Sequence, residues 1–514
     1  MLAFIARRLA ATLLVVMVAS FIVYVLTAYS GDPLEDLRTS RDPEAQRKIE
    51  DLTQRLQLDV PPPVRYLLWL GGVAGCLVGR CDLGVSVARG EQPVLDALST
   101  AIGSTLQLIT LATVLSILVG ITIGMTTALR QYSGYDYTVT FFAFIFYSLP
   151  IFWVAVLLKE YGAIRFNQFL GDPYIPPEIL IPLALLLAIV IAGIVGGNLA
   201  ARVRVAALAF ALGTLLMFTL NVTQWLANPS VGHVGVVLLV AVQTALLLML
   251  SVGLTNRRAL VAGATLVIAV AALWLPIQYL YFYINSPVVI LITALAFAAV
   301  GVVAALLFGG DTKRELSRLM GAAGALTAVP FAIDEMLQHW GEYSQIIPLK
   351  SGIVSTIGAT TPALGRYDDM WLKMLDSAAH LVLPTIALMI VSVAGYTRYS
   401  RASLLEVLNQ DYIRTARAKG LGERTVIMRH AFRNAMIPIA TIITFDIAGL
   451  IGGAIITERV FAWQGMGGLF NQGLQAVDVN LVMGFFLITG LIAVVFNIVA
   501  DLLYSALDPR IRIG

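Results

Sequence analysis

Eight basic side chains, Arg398, Arg401, Arg414, Arg417, Lys419, Arg424, Arg429 and Arg433, crowd into residues 398–438, against three acids, Glu406, Asp411 and Glu423. Around this island the chain is strongly apolar, with stretches long enough to span a bilayer on both sides. An excess of Lys and Arg beside spans places a loop on the cytoplasmic face. Within it Leu404, Leu405, Leu408, Tyr412 and Ala416 recur at helical spacing, and the Gly420-Leu421-Gly422 step stops the helix. Two roles fit these residues. A solvated basic loop merely sets topology. A short exposed helix held between two spans acts as a lever, because a push on it moves both.

Bond-making chemistry is hard to find elsewhere. No G-x-x-x-x-G-K-[ST] run is present, so the chain has no phosphate-cradling loop of its own, and no H-E-x-x-H occurs. The four histidines, His233, His339, His380 and His430, are scattered. His380 is either a ligand or proton relay, or a satisfied structural residue. Cys76 and Cys81 are the only cysteines; their spacing permits a disulfide or two free thiols, and no nearby His or further Cys supports a metal. Asp446 falls inside an apolar run. A carboxylate there is costly and faces protein or a water-filled cavity, so Asp446 either lines a translocation path or is packed and paired. The work to be done is conformational.

The elements that carry these residues follow from composition. The 514 residues are 59% hydrophobic and 13% charged, with a mean hydropathy of +0.85. Soluble domains have roughly 45–50% apolar and about 25% charged residues, so this is an all-α polytopic membrane protein. A net charge of +3 gives no reason to expect nucleic acid. The first span covers 9–29 and follows Arg7 and Arg8, which keeps the N-terminus in the cytoplasm; no small-residue cleavage site follows it.

Residues 31–99 form an extracytoplasmic lobe with an amphipathic helix over 44–58, Ile49, Leu52 and Leu56 on one face, ended by Pro61-Pro62-Pro63. Spans follow at 101–129 and 138–158, joined by a short turn over 130–137. A long apolar block then occupies 161–345, with candidate spans near 178–196, 205–226, 233–254, 259–281, 287–308 and 318–335. Arg202 and Arg204, Arg257 and Arg258, then Lys313, Arg314 and Arg318 mark alternate turns, as six crossings require. The last is the weakest, rich in Gly and Ala and ending at Asp334 and Glu335, so four crossings is the fallback. An outer loop over 351–377 and spans at 379–396, 439–456 and 481–501 complete the chain. The divisions are thus 1–30, 31–99, 100–160, 161–345 and 346–514, the last containing the basic loop.

The run D-Y-I-R-T-A-R-A-K-G-L over 411–421, followed by Arg433-Asn434-Ala435 and Ile437-Pro438, resembles the EAA loop of ABC importer permeases, in the form of the dipeptide/oligopeptide branch. The resemblance puts Arg414, Thr415 and Ala416 at the E-A-A positions and Gly420 at the family's glycine. Arg414 is not acidic and the gap to Pro438 is long; both departures suit the peptide branch. R-L-Q-L-D-V-P over 55–61 with Tyr66, Trp69 and D-L-G-V-S over 82–86 is similar to the family's first outer loop. Ser148-Leu149-Pro150 with Phe152 is similar to its S-x-P-x-F element, although a proline kink explains the same residues. Glu458-Arg459-Val460-Phe461 with Gly465-Met466-Gly467 resembles its late outer loop, Gln464 replacing the usual proline. Asn497, Asp501, Tyr504 and L-D-P-R-I over 507–511 match its C-terminal signature.

The resemblance implies a type I ABC importer permease fold of six core spans, here with an inserted block of about six more. It implies ATPase coupling through Arg414, Thr415, Ala416, Arg417, Lys419, Gly420 and Leu421, and a translocation path touching Asp446 and Glu458. The implied partners are a second permease subunit, two ATP-binding subunits or domains, an extracytoplasmic substrate-binding protein, a peptide substrate and membrane lipid. No cofactor is expected in this chain, ATP and Mg residing on partner subunits. The expected location is the bacterial plasma (inner) membrane, with both termini cytoplasmic. The rival is a self-sufficient ion-coupled secondary transporter with twelve spans, against which the chain offers no matching halves.

Overall fold

Two glycines set the centre of the molecule. In the computed structural model, which describes residues 2–41, 43–347 and 352–507, the helices Val94–Leu129 and Met370–Leu408 run parallel in contact along their length. A Cβ on Gly120 would lie 2.7 Å from Tyr396 Cβ, and one on Gly124 would lie 2.5 Å from the Thr397 carbonyl oxygen and overlap Ser400 Oγ. This small-xxx-small face lets two backbones approach as lipid-embedded helices need in order to gain packing energy. Thr397 and Ser400 hydroxyls donate to the Gly120 carbonyl at 3.3 and 3.4 Å.

Side chains are described except at 2–9, 36, 311, 445, 448–453 and 500–507. Ser351 and the 508–511 part of the C-terminal signature lie outside the described residues, as do the side chains of Asp501 and Tyr504. Among the described residues all regular structure is helical apart from one short antiparallel pairing, Val85–Ser86 with Gln92–Pro93. Ten helices among the described residues are long and apolar enough to cross a membrane, and one bent pair makes an eleventh candidate. The helix Phe432–Gly453 occupies the expected fifth core position.

The bent pair is the expected third span. Gly134–Ser148 and Ile151–Leu170 meet at 100°. Pro150 disfavours helical backbone at the residue before it, and Leu149 is extended there, ψ 127. The kink foreseen from sequence is therefore a break. The second arm contains a π-helical stretch, Leu158–Arg165, and Lys159 Nζ donates to the Val460 carbonyl at 3.0 Å.

All six candidate helices of the 161–345 block are present: Pro177–Val195, Leu199–Val222, Gly232–Ser251, Arg257–Tyr283, Val288–Phe308 and Lys313–Gln338. They alternate in direction. Asn221, ending the second, brackets the backbone of Ile175, just before the first. The last four pack around Val236, Val240, Leu266, Phe297 and Phe331. The sixth does not end at Asp334 and Glu335, as its polarity suggested; both acids are buried within it. Asp334 accepts from Gly232 N at 2.6 Å, Gln278 Nε2 at 2.8 Å and Trp274 Nε1 at 3.1 Å. Those donors repay its desolvation.

The bundle thus has two ends. The loop end carries residues 409–431 and the basic turns of the block; Gly134, opening the bent pair, meets the Gly193 carbonyl there. The lobe end carries residues 31–93 and 454–478. The amphipathic helix of the lobe is shorter than expected, Ala45–Arg55, and Pro62 opens the next helix rather than closing this one. Tyr66 seats the lobe on the first span, its hydroxyl 2.8 Å from Ser20 Oγ and its ring edge-on to Tyr24. Buried Asp478 seats it on the last, accepting from Ser86 Oγ at 2.5 Å and Ala88 N at 3.1 Å. The loop expected over 351–377 is shorter, because the 39-residue helix already starts at Met370.

Candidate functional site

The basic loop is ordered by a small apolar face. The helix Asp411–Ala418 buries Ile413 and Ala416. They enter a cluster with Ile121, Met125 and Ala128 of one central helix, Leu404 of the other, and Val426, Ala431 and Ile439 of the following segment. The helical spacing read through 404–416 is split: Met370–Leu408 ends, Gln410 turns extended at ψ 148, and a new helix starts at Asp411. A separate short rod therefore bridges the ends of three long helices.

Its far end is closed as the sequence indicates. Gly420 has φ +74, Gly420 N donates to Arg417 O at 2.9 Å and Leu421 N to Ala416 O at 3.4 Å. That paired arrangement with a left-handed residue is the Schellman stop. The Arg417 guanidinium then grips the Glu423 carboxylate through two hydrogen bonds, 2.6 and 3.1 Å. Arg417 holds the Glu423 carboxyl below its ordinary range, and Glu423 raises the guanidinium in turn. Arg414, Thr415, Arg417, Lys419, Gly420 and Leu421 are exposed while Ala416 points inward. Four of the seven expected coupling residues thus lie on the rod and Lys419, Gly420 and Leu421 form its cap, all but Ala416 exposed.

A second anchor was invisible in sequence. Asp136, 3% exposed, receives Arg401 Nε at 2.7 Å and Nη2 at 2.9 Å, and the Tyr132 amide at 3.0 Å. Arg398, a turn earlier, lies over Phe144 and Tyr147, 4.8 and 4.5 Å from their ring centres. The helix leading into the loop is thereby fastened to the first arm of the bent pair. Arg401 reads as one more loop charge until Asp136 is placed opposite it.

At the lobe end Glu458 is not on a surface. It is 1% exposed, accepts from Thr105 Oγ1 at 2.8 Å and Gly468 N at 3.0 Å, and is pushed up by burial against the pull of those donors. Thr105 accepts in turn from Met466 N at 2.8 Å. Glu458 thus pins the 454–475 segment to a central helix, beneath a cavity of about 300 Å³. Asp446 is exposed on the surface of this chain, with buried Tyr396 beside it. Cys76 and Cys81 are joined by a disulfide. His380 is buried, its Nδ1 2.8 Å from the Asp376 carbonyl, which is the structural alternative. Asn497 is half-buried on the last span.

The family model described as the binding-protein-dependent transport system inner membrane component matches residues 193–513. The match opens inside the apolar block set apart from sequence. Among curated proteins, the oligopeptide transport system permease protein OppB of Mycobacterium tuberculosis is 40% identical over 157 residues, 30% of this chain and 48% of that protein. The oligopeptide transport system permease protein AppB of Bacillus subtilis is 44% identical over 140 residues, 27% of this chain and 44% of that protein. The dipeptide transport system permease protein DppB of Escherichia coli is 45% identical over 140 residues, 27% and 41% of the two chains. The chain spans about half the length of the curated relatives it matches.

Proposed function

Because this chain belongs to the family of binding-protein-dependent transport system inner membrane components, we propose that it is the transmembrane permease subunit of an ATP-driven importer of peptides. Its place is the inner membrane, crossed many times. The loop end faces the cytoplasm, where the turns rich in Lys and Arg gather, and both termini lie on that side. The lobe faces outward, where its disulfide persists. A second permease subunit completes the pore, Asp446 lines the translocation path, two ATP-binding subunits or domains supply ATP and Mg, and an extracytoplasmic protein delivers the peptide. The rival of a self-sufficient ion-coupled transporter finds no support in the family or in the names of the relatives.

One observation carries this reading. The helix Asp411–Ala418 is seated by Ile413 and Ala416 on the ends of long helices while its remaining face is bare. A rod seated that way transmits a displacement instead of absorbing it. Closure of the ATPases pushes the rod, the central pair and the Phe432–Gly453 helix follow, and the pore changes the side on which it is open.

The test is the assembled complex in proteoliposomes. Wild type takes up peptide only with ATP; uptake that follows an ion gradient without ATP contradicts the reading. Two variants then probe the rod. Gly420→Val forces a β-branched residue into left-handed backbone at about 1–2 kcal/mol, with no atom within 4 Å of the new Cβ. Arg417→Glu with Lys419→Glu inverts two exposed charges, and the exposed pair it removes is worth under about 1 kcal/mol. Both leave the spans folded and are expected to keep ATP hydrolysis while losing at least about tenfold in peptide uptake. Wild-type uptake by both refutes the lever role.

A further inference from the structure

We propose that the 161–345 block braces the coupling loop, with Arg424 as the positioning residue through which it acts. The inference rests on the lever reading above and assigns the block a part in it. Arg424 lies just beyond the rod, and its Nη2 donates to the Met249 carbonyl oxygen at 3.0 Å. Met249 is in the last turn of Gly232–Ser251, where carbonyls lack helical partners and the helix end is partially negative. The Leu248 carbonyl is already taken by Val252 N at 3.0 Å and Gly253 N at 2.7 Å. The next free carbonyl is the one the guanidinium finds.

The turn is shaped for this approach. Gly253 has φ +90, and a Cβ on it would lie 2.5 Å from Arg424 Nη1. Any side chain there would both strain the backbone and displace the cation. A helix of the block ends against the loop because its last turn is left open.

The other end of the same helix is tied down too. Its Gly232 amide donates to buried Asp334. The helix carrying Asp334 leads to His339, whose Nε2 is 4.0 Å from Asp369 Oδ2. Asp369 caps Met370–Leu408, accepting from Leu372 N at 2.8 Å. Trp371, in the first turn of that helix, stacks on Tyr281 of the block, 5.1 Å between ring centres. The block therefore holds the long central helix at its start and the coupling loop beyond its end. A 20-residue helix, about 30 Å long, forms the strut between these holds. Arg424 touches neither peptide nor nucleotide in this scheme. It sets the angle at which the loop receives a push.

The experiment compares peptide transported per ATP hydrolysed in the full complex for wild type, Arg424→Ala, Arg424→Lys and Gly253→Val. Arg424→Ala is expected to lower the ratio about tenfold, equivalent to about 1.4 kcal/mol, close to the lower limit for a hydrogen bond to a charged group. Lysine keeps the charge and a donor, and is expected to restore the ratio to within about threefold of wild type. Gly253→Val, which leaves the loop sequence untouched, is expected to reproduce the alanine phenotype. Unchanged ratios for Arg424→Ala and Gly253→Val overturn the proposal. A second readout needs no transport: with Gly253 and Arg424 kept, Leu254→Cys and Thr425→Cys, both at exposed neighbouring positions, are combined in membranes and treated with a short bifunctional thiol reagent. A cross-link supports the brace, and its absence overturns it. If wild type shows no ATP-driven uptake while the cross-link forms, the importer reading falls and the brace stands.

Discussion

Gly124→Leu is expected to abolish assembly of the folded subunit. The new Cβ would meet the Thr397 carbonyl, the Arg401 amide nitrogen at 3.1 Å and the Ser400 hydroxyl. Two of those groups are backbone of a 39-residue helix, so no side-chain rotation makes room. Overpacking against yielding neighbours costs about 1–3 kcal/mol; here the two helices must separate. Separation also breaks the hydrogen bonds of Thr397 and Ser400 to Gly120 and opens the cluster beneath the coupling rod. Thermal melting in detergent, followed by size-exclusion chromatography, should show no folded monodisperse species. Gly103→Ala is the control. It lies on the same helix with nothing within 4 Å of the added Cβ, and alanine favours a helix over glycine by up to about 1 kcal/mol. Equal behaviour of the two variants would mean that close helix contact is not what holds the centre.

Asp136→Ala is expected to cost about 3 kcal/mol of stability and most of the transport. Removing one partner of a buried ion pair costs roughly 3–5 kcal/mol, because the other charge is stranded. The lower figure applies here, since Arg401 keeps 27% of its side chain exposed and can turn partly to water. The loss falls at the root of the coupling loop, where the pair fastens Met370–Leu408 to the bent span. Two companion variants identify the cause. Asp136→Asn keeps hydrogen-bonding atoms but no charge and should lie between wild type and alanine. Asp136→Leu with Arg401→Met removes both charges and should recover much of the stability, as apolar replacements of buried pairs do. A double variant less stable than Asp136→Ala would show that the ion pair itself, rather than a stranded arginine, carries the energy.

These two sites differ in how far they could be read from sequence. Glycine spacing in the Val94–Leu129 span is visible as letters, but its partner face on Met370–Leu408 is not. Asp136 and Arg401 are 265 positions apart, and nothing in one sequence joins them. What the sequence carries well is hydropathy and local punctuation. Long apolar runs became helices close to the expected limits. The basic turns gathered at one end of the bundle, and the glycine after the rod closes it.

What it carries poorly is where a regular pattern is interrupted by tertiary contact. The spacing of Leu404, Leu408, Tyr412 and Ala416 suits one continuous helix, yet the chain breaks at Asn409-Gln410 so that Ile413 and Ala416 can turn onto the helix ends. Pro150 marks a kink in sequence, but the size of the bend, 100°, and the direction of the second arm are not written there. Asp334 looks like a helix-end acid until the fold supplies its buried donors, and the buried donor to Glu458 is equally invisible, 353 positions away. The same holds for Arg424, one cation among eight, whose partner is a backbone atom of a distant helix.

The central claim is that the rod over 411–418 is what the ATPases push. Thr415 is exposed there, and its hydroxyl only returns to its own helix at Asp411, so Thr415→Cys leaves the rod intact. The decisive measurement is thiol cross-linking of this variant in the assembled complex, with and without ATP. A covalent product joining the subunit to an ATP-binding partner, with a yield that changes on nucleotide binding, is the result expected. Labelling of the same cysteine by a membrane-impermeant reagent from the external side, or no product with any ATP-binding subunit, would contradict it.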